Sequence, residues 1–255
     1  MIENPSVESF EVSLPSAIDP WQHRRGEPRV FAFLWTLYML ASVLGSLLWI
    51  TRTSVLAGSA YGPAARIMLL MIAIGATVLW PMARLSQLLP SGNVVKATLA
   101  DLVIVALPIQ VIVWPLVFLA AWPFQAVFGI AVLMFVWPAL MGGLIALAQV
   151  MIRRAGPESV FALIAPAFFM ALSVAGVLAG PVMIGVQRVQ SVDPTRATVW
   201  LFSPLTHIFR LAGIGLSTPR PTISSADWSM LGAVGGVAGG LWFLAACLAH
   251  TGQKD

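Results

Sequence analysis

Six stretches of this chain are long, apolar and almost free of charge, and no other feature constrains its fold as strongly. A helix needs roughly 20 apolar residues, rising about 1.5 Å each, to cross a bilayer. The stretches run from Val30 to Ile50, Ile67 to Met82, Leu102 to Ala121, Phe124 to Met151, Phe161 to Ile184 and Ser229 to Ala249. The second continues a weaker helical signal that begins near Pro63 and stops at Arg84, so its span is set at about 63–84. Strand-like alternation in ten-residue segments is absent, which argues against a membrane β-barrel. The expected fold is an all-α polytopic bundle of six transmembrane helices: residues 1–29 form an arm, and 30–255 a single transmembrane domain. Composition agrees: 59% of the 255 residues are hydrophobic and 9% charged, against about 25% charged in soluble domains.

The formal charge of +4 comes from scattered basic residues. With no basic stripe it fits attraction to anionic lipid and not nucleic-acid binding. Cys247, the single cysteine, allows neither an internal disulfide nor a multi-thiolate metal site. About 29 mixed residues precede the first apolar run, so a cleaved signal peptide is not expected.

Four Trp-Pro pairs punctuate the runs: Trp80-Pro81, Trp114-Pro115, Trp122-Pro123 and Trp137-Pro138. Proline kinks a membrane helix, and tryptophan favours the headgroup level. They are read as kinks with interfacial anchors. Basic residues set the orientation. With the N-terminus inside, the inner segments hold Arg24, Arg25, Arg29, Arg84, Lys96, Arg153, Arg154 and Lys254. The outer ones hold Arg52, Arg66, Arg188, Arg196, Arg210 and Arg220. The pairs Arg24-Arg25 and Arg153-Arg154 both fall inside, which favours a cytoplasmic N-terminus.

"WLFSPLTHIFRLAG", Trp200 to Gly213, is apolar but short, and it carries His207 and Arg210. A seventh span here would sink Arg210 towards mid-bilayer, at about 2.5–3.5 kcal/mol on the lenient scale. Its apolar positions recur as on one helical face, with His207 and Arg210 off that stripe. The expectation is a short external helix within segment 185–228, with Ser203 as its cap and Pro204 in its first turn. His207 and Arg210 would face water or headgroups. Equal protection of His207 and Ile208 would instead place the stretch among the spans.

Several chemistries lack their residues. Neither Lys96 nor Lys254 stands in a GxxxxGK[ST] loop, so no nucleotide is bound that way. His23, His207 and His250 have no partner at ligand spacing, so no metal or haem is expected, and no cofactor at all. No charge lies near a span centre, where an ion-coupled carrier keeps one. Asp101 reads as a helix N-terminal cap, and Gln110 and Gln149 as helix-to-helix bonds. Ser173 lacks a GxSG pattern, which argues against an intramembrane serine protease. "LGAVGGVAGG" carries Gly232, Gly235, Gly236, Gly239 and Gly240 at GxxxG spacings. These mark a helix-packing face, within the chain or between subunits.

With "DPWQHRRGEPRVF" before the first span, "SQLLPSGNVVKATLAD" between spans two and three, and "FSPLTHIFRLAG" before the sixth, the layout resembles the six-span permease subunits of ABC-type exporters, the type 2 ABC permease superfamily. The resemblance covers nearly the whole chain and is architectural. It implies a non-enzymatic translocation subunit in a bacterial inner membrane. Its partners would be a separate ABC-type ATPase and a second permease, identical or paralogous. Val94, Lys96 and Asp101 would lie in the loop that meets the ATPase, and Pro204, His207 and Arg210 on the exit side. The alternative is a non-transporting membrane subunit that anchors a larger complex.

Overall fold

The computed structural model describes residues 28–52, 61–90, 92–156, 158–189, 203–212 and 222–251, excluding the side chains of 28, 49–52 and 184–189. His23, Arg24, Arg25 and Lys254 lie outside this set. Among the described residues all regular secondary structure is helical. The elements are α1 (Pro28–Arg52), α2 (Tyr61–Ile74), a π-helical turn (Gly75–Leu79), α3 (Trp80–Leu85), α4 (Val94–Val113), α5 (Leu116–Leu119), α6 (Phe124–Ala155), α7 (Val160–Val189), α8 (Pro204–Leu211) and α9 (Ser225–Thr251). Six stretches are long and apolar enough to cross a membrane: Arg29–Leu48, Tyr61–Leu85, Val94–Leu119, Phe124–Ala155, Val160–Met183 and Ser225–Thr251.

α6 is the axle of the bundle. Along its length Val127, Ile130, Leu133, Met134, Met141 and Ile145 are buried, and its broadest packing is against α9 and α4. Two adjacent glycines let α9 come close. A Cβ on Gly142 would lie 2.8 Å from the Trp242 ring and 3.1 Å from that of Trp80. One on Gly143 would lie 2.9 Å from Leu241 Cβ. Trp242 Nε1 donates to Ala139 O at 2.8 Å. Gln110 Nε2 donates to Ala131 O at 3.0 Å, the helix-to-helix role expected of it.

The π-helical turn has a local cause. A Cβ on Gly75 would fall 2.2 Å from the Tyr38 ring. Tyr38 Oη donates to Met71 O at 2.5 Å. The bare backbone of Gly75 therefore admits the α1 ring, and the second span continues past it through the wider turn.

Three of the four Trp-Pro pairs do not present their tryptophan as an interfacial anchor. Trp80, Trp122 and Trp137 are buried, and only Trp114 is exposed among the four. Trp114-Pro115 separates α4 from α5, and Pro123 caps α6. Between them Ala121 has φ 51°, a left-handed conformation unusual for a residue with a Cβ.

α4 begins at Val94, eight residues before the expected Leu102. Its cap is Asn93, whose side chain accepts from Lys96 N at 3.1 Å. Asp101 therefore is not an N-terminal cap. It sits inside the helix, buried, and its charge does not end the helix because Arg84 pairs with it.

Candidate functional site

The antiparallel helices give the bundle two ends, and buried polar groups concentrate at both. One end gathers the start of α1, the end of α3, the start of α4 and the ends of α6 and α9. Here Arg84 Nη2 meets Asp101 Oδ1, with both side chains nearly buried. Arg84 Nη1 donates to Gln87 Oε1 at 2.8 Å, and its guanidinium lies 4.7 Å over the Phe31 ring. Gln149 reaches Arg84 O, and Thr98 reaches Gln149, each at 3.5 Å.

The paired arginines at the end of α6 act as braces. Arg153 donates to Gly92 O at 2.8 Å and also to Pro90 O, which fixes the turn between α3 and α4. Arg154 donates to Leu248 O and Thr251 Oγ1 and so holds the last turn of α9. That is where a cation suits the negative end of a helix. Of the three residues placed in a partner-facing loop, Val94 and Asp101 are buried in α4, and only Lys96 is exposed.

The other end is closed by α8. Ser203 caps it as expected, accepting from Leu205 N at 3.3 Å, with Pro204 in the first turn. Its setting differs from expectation. His207 and Ile208 are both 0% exposed, so His207 does not face water. The helix packs against α2, α6 and α7. The reason is a set of partners that stripe reasoning ignores. Ser203 Oγ donates to Val177 O of α7 at 2.6 Å. Arg66 of α2 donates to Ala212 O at the C-terminal cap, at 2.8 Å. Gly180 opens a notch in α7, since a Cβ there would lie 2.5 Å from Ser203 Cβ.

Asp227, in the first turn of α9, is the centre of this cluster. Its Oδ1 lies 3.4 Å from His207 Nε2 and 3.3 Å from Arg210 Nε. Its Oδ2 accepts from Ser224 N at 2.8 Å and from Ser224 Oγ at 2.6 Å. Arg210 Nη2 also reaches Ser224 Oγ at 3.1 Å. Its side chain is 36% exposed, against 1% for both Asp227 and His207, so Arg210 reaches outward. His207 Nδ1 meets no hydrogen-bonding partner among the described residues. Sequence reasoning missed Asp227, which sits at the edge of an apolar run and 20 residues from His207.

Among the described residues the glycines of α9 make no close contact. A Cβ on Gly232, Gly236, Gly239 or Gly240 would meet nothing within 4 Å, and one on Gly235 only Val136 at 3.9 Å. Close approach belongs instead to Gly142 and Gly143 on α6. No group of three or more His, Cys, Asp or Glu able to hold a metal occurs among the described residues.

Six apolar spans, one of them the central helix α6, with polar ties at both ends, define a multi-pass helical membrane protein. Compared with known proteins, the chain matches no family model, no curated protein and no solved structure.

Proposed function

We propose that this chain is the membrane-spanning permease subunit of an ABC-type exporter, powered by a separate ATPase and working beside a second permease copy. The supporting observation is the contrast between its ends. One presents a short turn clamped by Arg153 to the central helix, so a push on the turn is felt along α6. The other is closed by α8. The spans hold no mid-membrane charge for ion coupling, so the energy comes from a partner. The sequence offers no phosphate loop with which the chain would hydrolyse ATP itself. The arginine-rich end is assigned to the cytoplasm of a bacterial inner membrane by the positive-inside rule. α8 enters this reading as part of the bundle, and its role as a water-facing exit helix is withdrawn.

A second reading, an anchoring subunit without transport, is favoured by the open glycine flank of α9, which leaves room for another helix. Reconstitution separates the two. The permease reading expects the purified chain to raise the ATP turnover of an ABC-type ATPase encoded beside it. Stable assembly with other membrane subunits and no effect on any such ATPase would support the anchor instead.

A further inference from the structure

Four aromatic rings form a row at the end of the bundle that α8 closes. Trp114 caps the C-terminus of α4, Phe124 and Phe128 stand in the first two turns of α6, and Trp228 in the first turn of α9. Phe124 and Phe128 stack at 6.4 Å with their planes 5° apart. The Trp114 ring lies 5.9 Å from Phe124 and 6.3 Å from Phe128, and the Trp228 ring 5.6 Å from Phe128. All four residues are exposed. Their places at helix ends put them at headgroup depth, where aromatic rings gather. An ordinary aromatic belt needs only separate rings, but here three helices bring theirs into one continuous apolar strip.

The strip adjoins a guanidinium that is held in place. Ile223 packs over the bare backbone of Gly129, the residue after Phe128, and so brings Ser224 to α6. Arg210 Nη2 meets Ser224 Oγ at 3.1 Å, and its Nε lies 3.3 Å from Asp227 Oδ1, on the residue before Trp228. No described residue takes its Nη1. Arg66 stands nearby, donating to Ala212 O at 2.8 Å with its guanidinium 6.0 Å from the Phe209 ring. Two guanidiniums thus accompany one carboxylate, and that carboxylate, Asp227, is buried. Glu158, the one exposed carboxylate among the described residues, lies at the opposite end. An ammonium group finds no exposed counter-charge here. A phosphodiester finds a guanidinium already positioned, so little freedom is lost on binding.

We propose that this end of the bundle holds one anionic phospholipid of the adjoining leaflet, its phosphodiester on Arg210 and an acyl chain along the strip of Trp228, Phe128, Phe124 and Trp114. Ser224 and Asp227 fix the guanidinium at Nη2 and Nε and leave Nη1 for a phosphate oxygen. A headgroup without an ammonium, such as that of phosphatidylglycerol, is preferred over phosphatidylethanolamine because no exposed carboxylate receives the ammonium. The lipid is a bound component of the α4, α6 and α9 face, and the proposal holds whether or not the chain transports anything.

The test titrates the full chain, in neutral detergent, with phosphatidylglycerol and phosphatidylethanolamine of matched acyl chains and reads the bound lipid by native mass spectrometry. The unmodified chain should take its first phosphatidylglycerol about fivefold more tightly than phosphatidylethanolamine, the ordinary effect of one basic side chain on an anionic headgroup. Equal binding of the two would overturn the proposal without recourse to any variant. Arg210→Leu, which leaves the buried His207–Asp227 contact in place, should abolish the preference. Arg29→Leu, an exposed arginine at the opposite end, should not. Equal losses in these two variants would mean adsorption to any cation, and the site would be abandoned. Phe124→Leu combined with Trp228→Leu should weaken both lipids alike and preserve their ratio; unchanged binding would take the chain off the strip and the proposal with it. Excess inorganic phosphate should leave the lipid in place, and displacement by it would show that Arg210 takes a free anion. A lipid-free dimer that the two ring substitutions dissociate would give the strip to a second copy instead.

Discussion

His207 of α8 and Asp227 of α9 face each other at 3.4 Å, each side chain 1% exposed, at the end of the bundle that α8 closes. The contact joins a helix too short to be a span to the first turn of the last span. Asp227→Asn removes the charge that His207 and Arg210 share. A buried polar group left without its partner costs about 1–3 kcal/mol. The expected result is earlier unfolding in denaturing detergent, with a cysteine introduced as Ile208→Cys, protected in the parent, becoming reactive. Unchanged protection would show that apolar packing alone seats α8.

Arg210 should matter less than its charge implies. Its side chain is 36% exposed, and water screens its attraction to Asp227. Arg210→Leu is expected to cost no more than about 1 kcal/mol and to leave membrane insertion intact. A loss equal to that of Asp227→Asn, in the same unfolding assay, would show that Arg210 and not His207 holds the carboxylate.

At the opposite end Arg84 and Asp101 form the second buried pair. Breaking such a pair by removing one partner typically costs about 3–5 kcal/mol, whereas replacing both with apolar residues is often nearly neutral. Asp101→Leu should therefore be severe. Arg84→Met combined with Asp101→Leu should recover most of the loss, apart from the Gln87 and Phe31 contacts of Arg84. Thermal stability in one detergent, across the two single variants and the double, measures the coupling. Additive losses would mean that the two side chains act separately.

The bundle was legible because each span signals itself locally through the length and polarity of its own residues. Ser203-Pro204 was legible for the same reason, since a cap needs only its own turn. What failed depends on pairs. Asp101 looked like a cap because Arg84, 17 residues earlier, is invisible to local pattern. The same blindness delayed the start of α4: Lys96 and Asp101 read as polar boundary residues, although one is exposed and the other neutralised. His207 looked solvent-facing because its partner lies on another helix. The glycines show the limit most plainly. GxxxG spacing marks where a backbone is bare. Only the partner helix decides which bare backbone is used, and here it is the Gly142-Gly143 step.

That choice yields the last prediction. A methyl on Gly143 would meet Leu241 Cβ at 2.9 Å, an atom that moves only with its backbone, and one on Gly142 would meet the Trp242 and Trp80 rings. Overpacking a filled interface of this kind costs about 1–3 kcal/mol. Gly142→Ala and Gly143→Ala should therefore loosen α9 from α6 and weaken the bond from Trp242 to Ala139 O. Gly236→Ala and Gly239→Ala place their methyls in open space. They should be neutral, or stabilising by up to about 1 kcal/mol as helix propensity improves. The four variants, compared by detergent unfolding, should divide by helix. Should Gly236→Ala and Gly239→Ala prove the more damaging pair, the flank of α9 that is open among the described residues must be covered in the membrane.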